Sequence, residues 1–160
     1  MSQTVQLPNV CDFVSRHLAD VFDTMLAMKA DLVPNAPLPH FAERVTGAVG
    51  FAGETVTGAV YLHLSAPFAN RVAAAMLGLK PEEIPGEHDV NDVVGEATNM
   101  LTGGLKSWLC DAGAECAVST PAIIRGTSFA VEVMPNVERE CLVFECGGER
   151  VMVEIHIKLN

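Results

Sequence analysis

Residues 149–159 alternate with a period of two along their whole length. Val151, Val153, Ile155, Ile157 and Leu159 fall on one side, and Met152, Glu154, His156 and Lys158 on the other. That period puts successive side chains on opposite faces of a strand. A strand of this length is not stable alone, so the chain must build a sheet and cover its apolar face.

The cover has a helical period. Over residues 9–30, Phe13, Val14, His17, Leu18, Val21, Met25 and Met28 recur on one side, with Asp12, Arg16 and Asp23 opposite. Three prolines in Val33–Pro39 end this helix. Residues 45–51 and 55–65 read as paired strands joined by a short turn at Ala52-Gly53-Glu54. Gly47, Gly50 and Gly58 within them imply a bulge or an element packed close to the backbone. Ser65 caps a short helix that runs to about Leu77, and Gly78 stops it. A polar loop with Pro81, Pro85 and Gly86 leads into a long helix over about 89–111. Strands are expected near 114–125, 127–134, 139–146 and 149–159, divided at Gly126, Pro135-Asn136 and Gly147-Gly148. The expected architecture is α+β: long helices in two or three layers on a largely antiparallel sheet, with 1–160 as one domain.

Charge narrows the function. Twenty acidic against ten basic residues give a net charge of -10. That balance argues against nucleic-acid binding and against an anionic membrane face. No apolar stretch approaches the roughly 20 residues of a transmembrane helix. Met1–Asn9 lacks a basic region followed by an apolar run, so no secretory signal is expected. Cys11, Cys110, Cys116, Cys141 and Cys146 are odd in number and form no CxxC pair, which suits small buried residues in a reducing cytoplasm. Cys141 and Cys146 should point to opposite faces of one strand. No pair among the five histidines has metal-motif spacing, and the glycines at 47, 50 and 53 lack the compact order of a dinucleotide fingerprint.

The chemistry falls on the long helix. With Val90 at 0° and about 100° per residue, an apolar stripe runs from Val90 through Val93, Val94, Ala97, Met100, Leu101, Gly104 and Leu105 to Trp108. Glu96 (about 240°) and Asn99 (about 180°) lie near the middle of the opposite face, roughly 4.5 Å apart along the axis. Asp92 and Gly103 flank them and Gly95 lies nearby. Small residues there leave a path for another protein to lie against the helix, so Asp92, Gly95 and Gly103 are candidate partner contacts. An acid and an amide on an exposed helix are also ordinary on any helix surface.

The run Asn91-Asp-Val-Val-Gly-Glu96-Ala-Thr-Asn99-Met-Leu-Thr-Gly-Gly-Leu-Lys-Ser-Trp108 resembles the signature helix of the CheX-like chemotaxis phosphatases. Thr46-Gly-Ala-Val-Gly-Phe-Ala-Gly53 and Gly58-Ala-Val-Tyr-Leu62 are similar to the same family's glycine-rich strand pair. The resemblance covers about residues 10–159. It implies removal of phosphate from a response regulator of the CheY type, and homodimerisation through the sheet. Glu96 matches the acid that pairs with the regulator's lysine, and Asn99 the amide that orients the attacking water. The aspartyl phosphate and Mg²⁺ belong to the regulator, and no cofactor is expected on this chain. Asp20-Val-Phe-Asp23 on the first helix offers no second amide, so one site per chain is expected. Gly104 stands where many relatives have Asn; it faces the core side, so it bears on packing. The alternative is a binding or adaptor module that engages a regulator without catalysis.

Overall fold

The computed structural model describes residues 4–80 and 82–160. Met1 and Pro81, read above as parts of the N-terminus and the polar loop, lie outside the described residues. The elements in chain order are α1 (Leu7–Leu26), β1 (Ala30–Leu32), β2 (Arg44–Gly53), β3 (Val56–Ser65), α2 (Ala66–Leu77), α3 (Glu87–Asp111), β4 (Cys116–Val118), β5 (Ala122–Gly126), β6 (Glu138–Cys146) and β7 (Glu149–Leu159). The strands form one antiparallel sheet in the order β1-β6-β7-β3-β2-β4, and β5 also pairs with β2. Three helices pack on one face, as the α+β reading expected. None is long and apolar enough to cross a membrane.

The register explains that face. Val60 of β3 pairs with Val49 of β2 and Ile155 of β7, and Leu62 with Gly47 and Val153. The apolar side of the final strand thus continues across its neighbours. α1 covers it with Val10, Val14, Leu18, Val21, Phe22 and Leu26. The helix ends before Met28, because Ala27 turns left-handed (φ 51°) and sends the chain into β1, an edge strand the helical reading had absorbed. The fully buried stripe is rotated from the expected one, and Phe13 and His17 meet α3 instead. Phe13 stacks on Trp108 with ring centroids 5.8 Å apart, so Trp108 is half-buried between the helices. α2 keeps its expected caps: Ser65 accepts from the Phe68 amide at 3.2 Å, and Gly78 is left-handed at φ 65°.

A strand expectation changes. Residues 127–134 are not a strand. Gly126 pairs with Arg44, the first residue of β2, so β5 has no partner beyond that point. The chain leaves the sheet there and is held by Arg44, which donates to the Phe129 carbonyl and lies 3.7 Å over its ring. The long final strand is central, with β3 on one side and β6 on the other. Among the described residues β6 keeps an open stretch of edge, because β1 pairs only with Phe144–Cys146. Cys141 and Cys146 do face opposite ways, the latter buried beneath the helices.

The other sheet face holds a second, polar interior. Thr46, His63, Glu154 and His156 are all buried. Burial of such groups is tolerable only when they are paired. Thr46 Oγ1 donates to His63 Nδ1 at 2.7 Å, and His63 Nε2 donates to Glu154 Oε1 at 3.1 Å. Glu154 Oε2 accepts from His156 Nε2 at 2.7 Å and from Arg139 Nε at 2.8 Å.

Candidate functional site

α3 sets the site because three of its sides are fixed. On the sheet side, Gly47 of β2 faces Thr98; a Cβ at Gly47 would overlap the threonine hydroxyl. That close approach is the reason for a glycine inside a strand here. Thr98 and Thr102 are buried because each hydroxyl donates back along the helix, to Val94 and Thr98 carbonyls at 2.7 and 2.8 Å. On the α1 side, His17 Nε2 donates to the Met100 carbonyl at 3.1 Å. Its ring occupies the space left by Gly104, where a Cβ would collide with it. Gly104 is thus a packing residue, and His17 an interface histidine with a partner.

On the third side, β5 and the connection that leads into it lie along the helix. Arg125 donates to Asn91 Oδ1 at 2.9 Å and sits 3.9 Å from Glu87. Pro121 and Ile123 come within 3.6 and 3.8 Å of where a Gly95 Cβ would be. Gly95 is consequently buried and is not part of the open face, which corrects its assignment as a partner contact. The helical wheel placed it near the boundary, but the wheel carries no sign of β5 and the residues before it reaching the helix from beyond β2. Pro121 and Arg125 went unnoticed for the same reason, since nothing in their local sequence points to this helix.

What remains open is a narrow strip. Asp92, Glu96 and Asn99 are exposed, Gly103 is half-exposed, and an added Cβ at Gly103 would meet nothing within 4 Å. These four recur at helical spacings of four, three and four, so they form one line. The helix is unbroken from Glu87 to Asp111 across the Gly103-Gly104 pair. Asp92 is 3.4 Å from His88, an exposed pair of little energetic weight. Hydrogen bonds and ion pairs of the helix's other side chains use Glu87, Asn91, Thr98, Thr102 and Ser107. Glu96 and Asn99 take part in none of them among the described residues. They carry a carboxylate and an amide whose full hydrogen-bonding capacity faces outward.

The Glu154 cluster is the contrasting case. Burial alone would raise its carboxyl, but hydrogen bonds from His63, Arg139 and His156 outweigh burial and hold it down at about 2. Burial lowers His63 from its ordinary value, against the pull of Glu154. Among the described residues every fully buried side-chain nitrogen and oxygen there has a hydrogen-bond partner. Among the described residues no cluster of three His, Cys, Asp or Glu suits a metal ion.

Residues 45–145 match the family model described as chemotaxis phosphatase CheX. No curated protein matches the chain. Among solved structures, a chemotaxis protein CheX from Vibrio vulnificus is similar at TM-score 0.80 and 23% identity, covering 93% of this chain and 96% of that one. A CheC-like superfamily protein from Shewanella sp. PV-4 has TM-score 0.79 and 26% identity over 98% and 99% of the two chains. The CheX–CheY–BeF3–Mg²⁺ complex from Borrelia burgdorferi is similar at TM-score 0.70 and 19% identity, over 93% and 97%. The matched span takes in the glycine-rich strand pair, the whole of α3 and the connection that flanks it, and the chain belongs to the CheX chemotaxis-phosphatase family.

Proposed function

We propose that this chain is a phosphatase for the aspartyl phosphate of a CheY-type response regulator, acting through the open strip of α3. The observation that carries this reading is the uncommitted, outward Glu96–Asn99 pair on a helix fixed on every other side. An acyl phosphate is already reactive, so a catalyst need only position water and complete an electrostatic frame. Asn99 enters the regulator's site and holds the water: its amide can accept from the water and donate to it while staying neutral beside the phosphoryl group. Water attacks phosphorus, the regulator's aspartate carboxylate leaves, and inorganic phosphate is released. Glu96 docks the regulator's lysine as a charged hydrogen-bond partner. Asp92 and Gly103 extend the contact along the helix, the glycine allowing close approach. Mg²⁺ is held by the regulator. The Borrelia complex, in which a CheX is bound to CheY, supports the choice of partner.

Homodimerisation belongs to this reading. Residues 138–142 of β6 have no strand on their outer side among the described residues, and a groove of about 470 Å³ lined by Leu32, Pro34, Leu38 and Leu142 lies beside them. An unpaired edge of that kind is a template for a second strand. Light scattering should give twice the 17.0 kDa chain mass at micromolar concentration; a monomer throughout excludes the dimer.

The deciding experiment is phosphate release from a phosphorylated CheY-type regulator with Mg²⁺, with and without this protein. Acceleration supports catalysis. Tight binding without acceleration replaces it with the adaptor reading.

A further inference from the structure

The open strip belongs to a helix with a weak joint. Gly103 and Gly104 stand side by side in the interior of α3, between Asn99 and Trp108. Glycine is the poorest helix former after proline, because it gives up the most backbone freedom on ordering. Pairs of such residues are where helices bend, yet α3 is unbroken there. One side chain bridges the joint. The His17 ring of α1 donates from Nε2 to the Met100 carbonyl at 3.1 Å. In the helical ladder that carbonyl also accepts from the Gly104 amide, four residues on. The same ring fills the space beside Gly104, where a Cβ would overlap it. His17 therefore grips α3 on both sides of the point where it is weakest. Phe13 backs it: its ring stacks on His17 with centroids 5.3 Å apart and on Trp108 at 5.8 Å. Met100, Gly104 and Trp108 recur every four residues, so these contacts run in one line across the joint. That line faces α1, not the strip.

We propose that His17 is a positioning residue for Asn99: it staples α3 across the Gly103–Gly104 joint and so holds the turn that carries the amide in one place. This role rests on the phosphatase reading of the strip. Asn99 directly precedes Met100, so the carbonyl that His17 grips belongs to the turn that aims the Asn99 side chain. Holding an attacking water in line is sensitive to displacements of about 1 Å, even when their cause lies away from the chemistry. Glu96 lies nearly a turn further from the joint, and its partner lysine, a point charge on a flexible stem, can follow a small shift. Loss of the staple should thus slow turnover while sparing affinity for the regulator.

Three variants of the full chain separate the hydrogen bond from the packing. His17→Leu fills space without a donor, His17→Asn carries an amide too short to reach, and His17→Gln places an amide donor near the position of the imidazole Nε2. The first measurement is kcat and KM for a phosphorylated CheY-type regulator with Mg²⁺. His17→Leu and His17→Asn should lower kcat by about tenfold to a hundredfold, with KM within about twofold of wild type. His17→Gln should recover most of that loss. The second measurement, amide hydrogen exchange of the free protein, needs no regulator. The Gly103, Gly104 and Leu105 amides should exchange at least about tenfold faster in the two loss variants, those of Val93 and Val94 far less so, and His17→Gln should restore protection. Either loss variant suffices if the other folds poorly. Unchanged kcat or unchanged exchange at the joint overturns the proposal. So does a kcat loss that His17→Gln shares in full, or one matched by an equal rise in KM, since each marks packing alone. No acceleration by wild type defeats the phosphatase reading itself, an outcome distinct from wild-type acceleration that the His17 variants leave untouched.

Discussion

The molecule treats two of its carboxylates, Glu154 and Glu96, oppositely. Glu154 is buried and accepts from His63, His156 and Arg139. Glu96 is exposed and engages nothing among the described residues, three positions from an equally free Asn99. Residue type alone does not separate them, because acid, amide, hydroxyl and imidazole occur in both places. Commitment does. A carboxylate whose lone pairs are filled by its own chain holds a fold together, whereas one left unfilled on a rigid helix is available to another molecule.

The sharpest way to break that contrast is to remove the buried acid. Glu154→Ala should cost about 3–5 kcal/mol, since it leaves Arg139 and two histidines without their acceptor. Denaturant unfolding measures it. Regulator dephosphorylation per folded molecule should barely change, because α3 lies on the other face of the sheet. A stable Glu154→Ala protein with lost activity would reverse the roles assigned to the two regions.

At the exposed pair the expected effects are the mirror image. Asn99→Ala should reduce the acceleration of regulator dephosphorylation by about 10²–10³, the usual loss for a transition-state contact. Its unfolding free energy should stay within about 0.5 kcal/mol of wild type. Glu96→Ala should weaken regulator binding as well, because the docked lysine loses its partner. Dephosphorylation rates at several protein concentrations separate the two variants. Acceleration that survives unchanged in Asn99→Ala removes the proposed mechanism.

Acid distinguishes the regions too. Glu154 titrates lower in the fold, at about 2, than its ordinary 4.5. The unfolded chain therefore binds the proton first, and stability present above pH 4.5 is lost as pH falls toward 2. The gap corresponds to about 3 kcal/mol. His63, lowered by burial, adds loss of the same sign below its ordinary value of 6.5. Urea midpoints should fall from pH 7 to pH 3, and Glu154→Gln should flatten the lower part of that curve. An equal slope in Glu154→Gln would place the titrating group elsewhere.

The open strip was legible from helical period because Glu96 and Asn99 stand opposite a long apolar stripe. The glycine-rich strand was legible too, in that Gly47 does receive an element packed close to it. The Glu154 cluster was not. His63, Glu154 and Arg139 are far apart in sequence and come together only through the β3–β7–β6 register. Residues 127–134 read as a strand from their local sequence, but only Phe129 and Val131 are half-buried, Val133 and Met134 are exposed, and β2 offers no partner beyond Arg44. Gly95 read as open because local period cannot report Pro121 arriving across the helix.

The adjacent glycines of α3 give the smallest and most specific test. Gly104 faces α1, and a Cβ there would run into the His17 ring, which is itself held by the Met100 carbonyl. The ring must shift or lose its hydrogen bond, so Gly104→Ala should destabilise by roughly 1–3 kcal/mol, the usual cost of overpacking. Gly103, one residue earlier, has nothing within 4 Å of an added Cβ. There alanine relieves only the helix penalty of glycine, so Gly103→Ala should stabilise by up to about 1 kcal/mol. If the strip receives a regulator at close range, the same methyl should loosen the complex several-fold, leaving the protein firmer and the complex weaker. Thermal unfolding and regulator binding, measured side by side on both variants, read these opposite signs. Gly103→Ala that stabilises the chain and binds as tightly as wild type would end the docked surface short of Gly103, confining it to Asp92, Glu96 and Asn99.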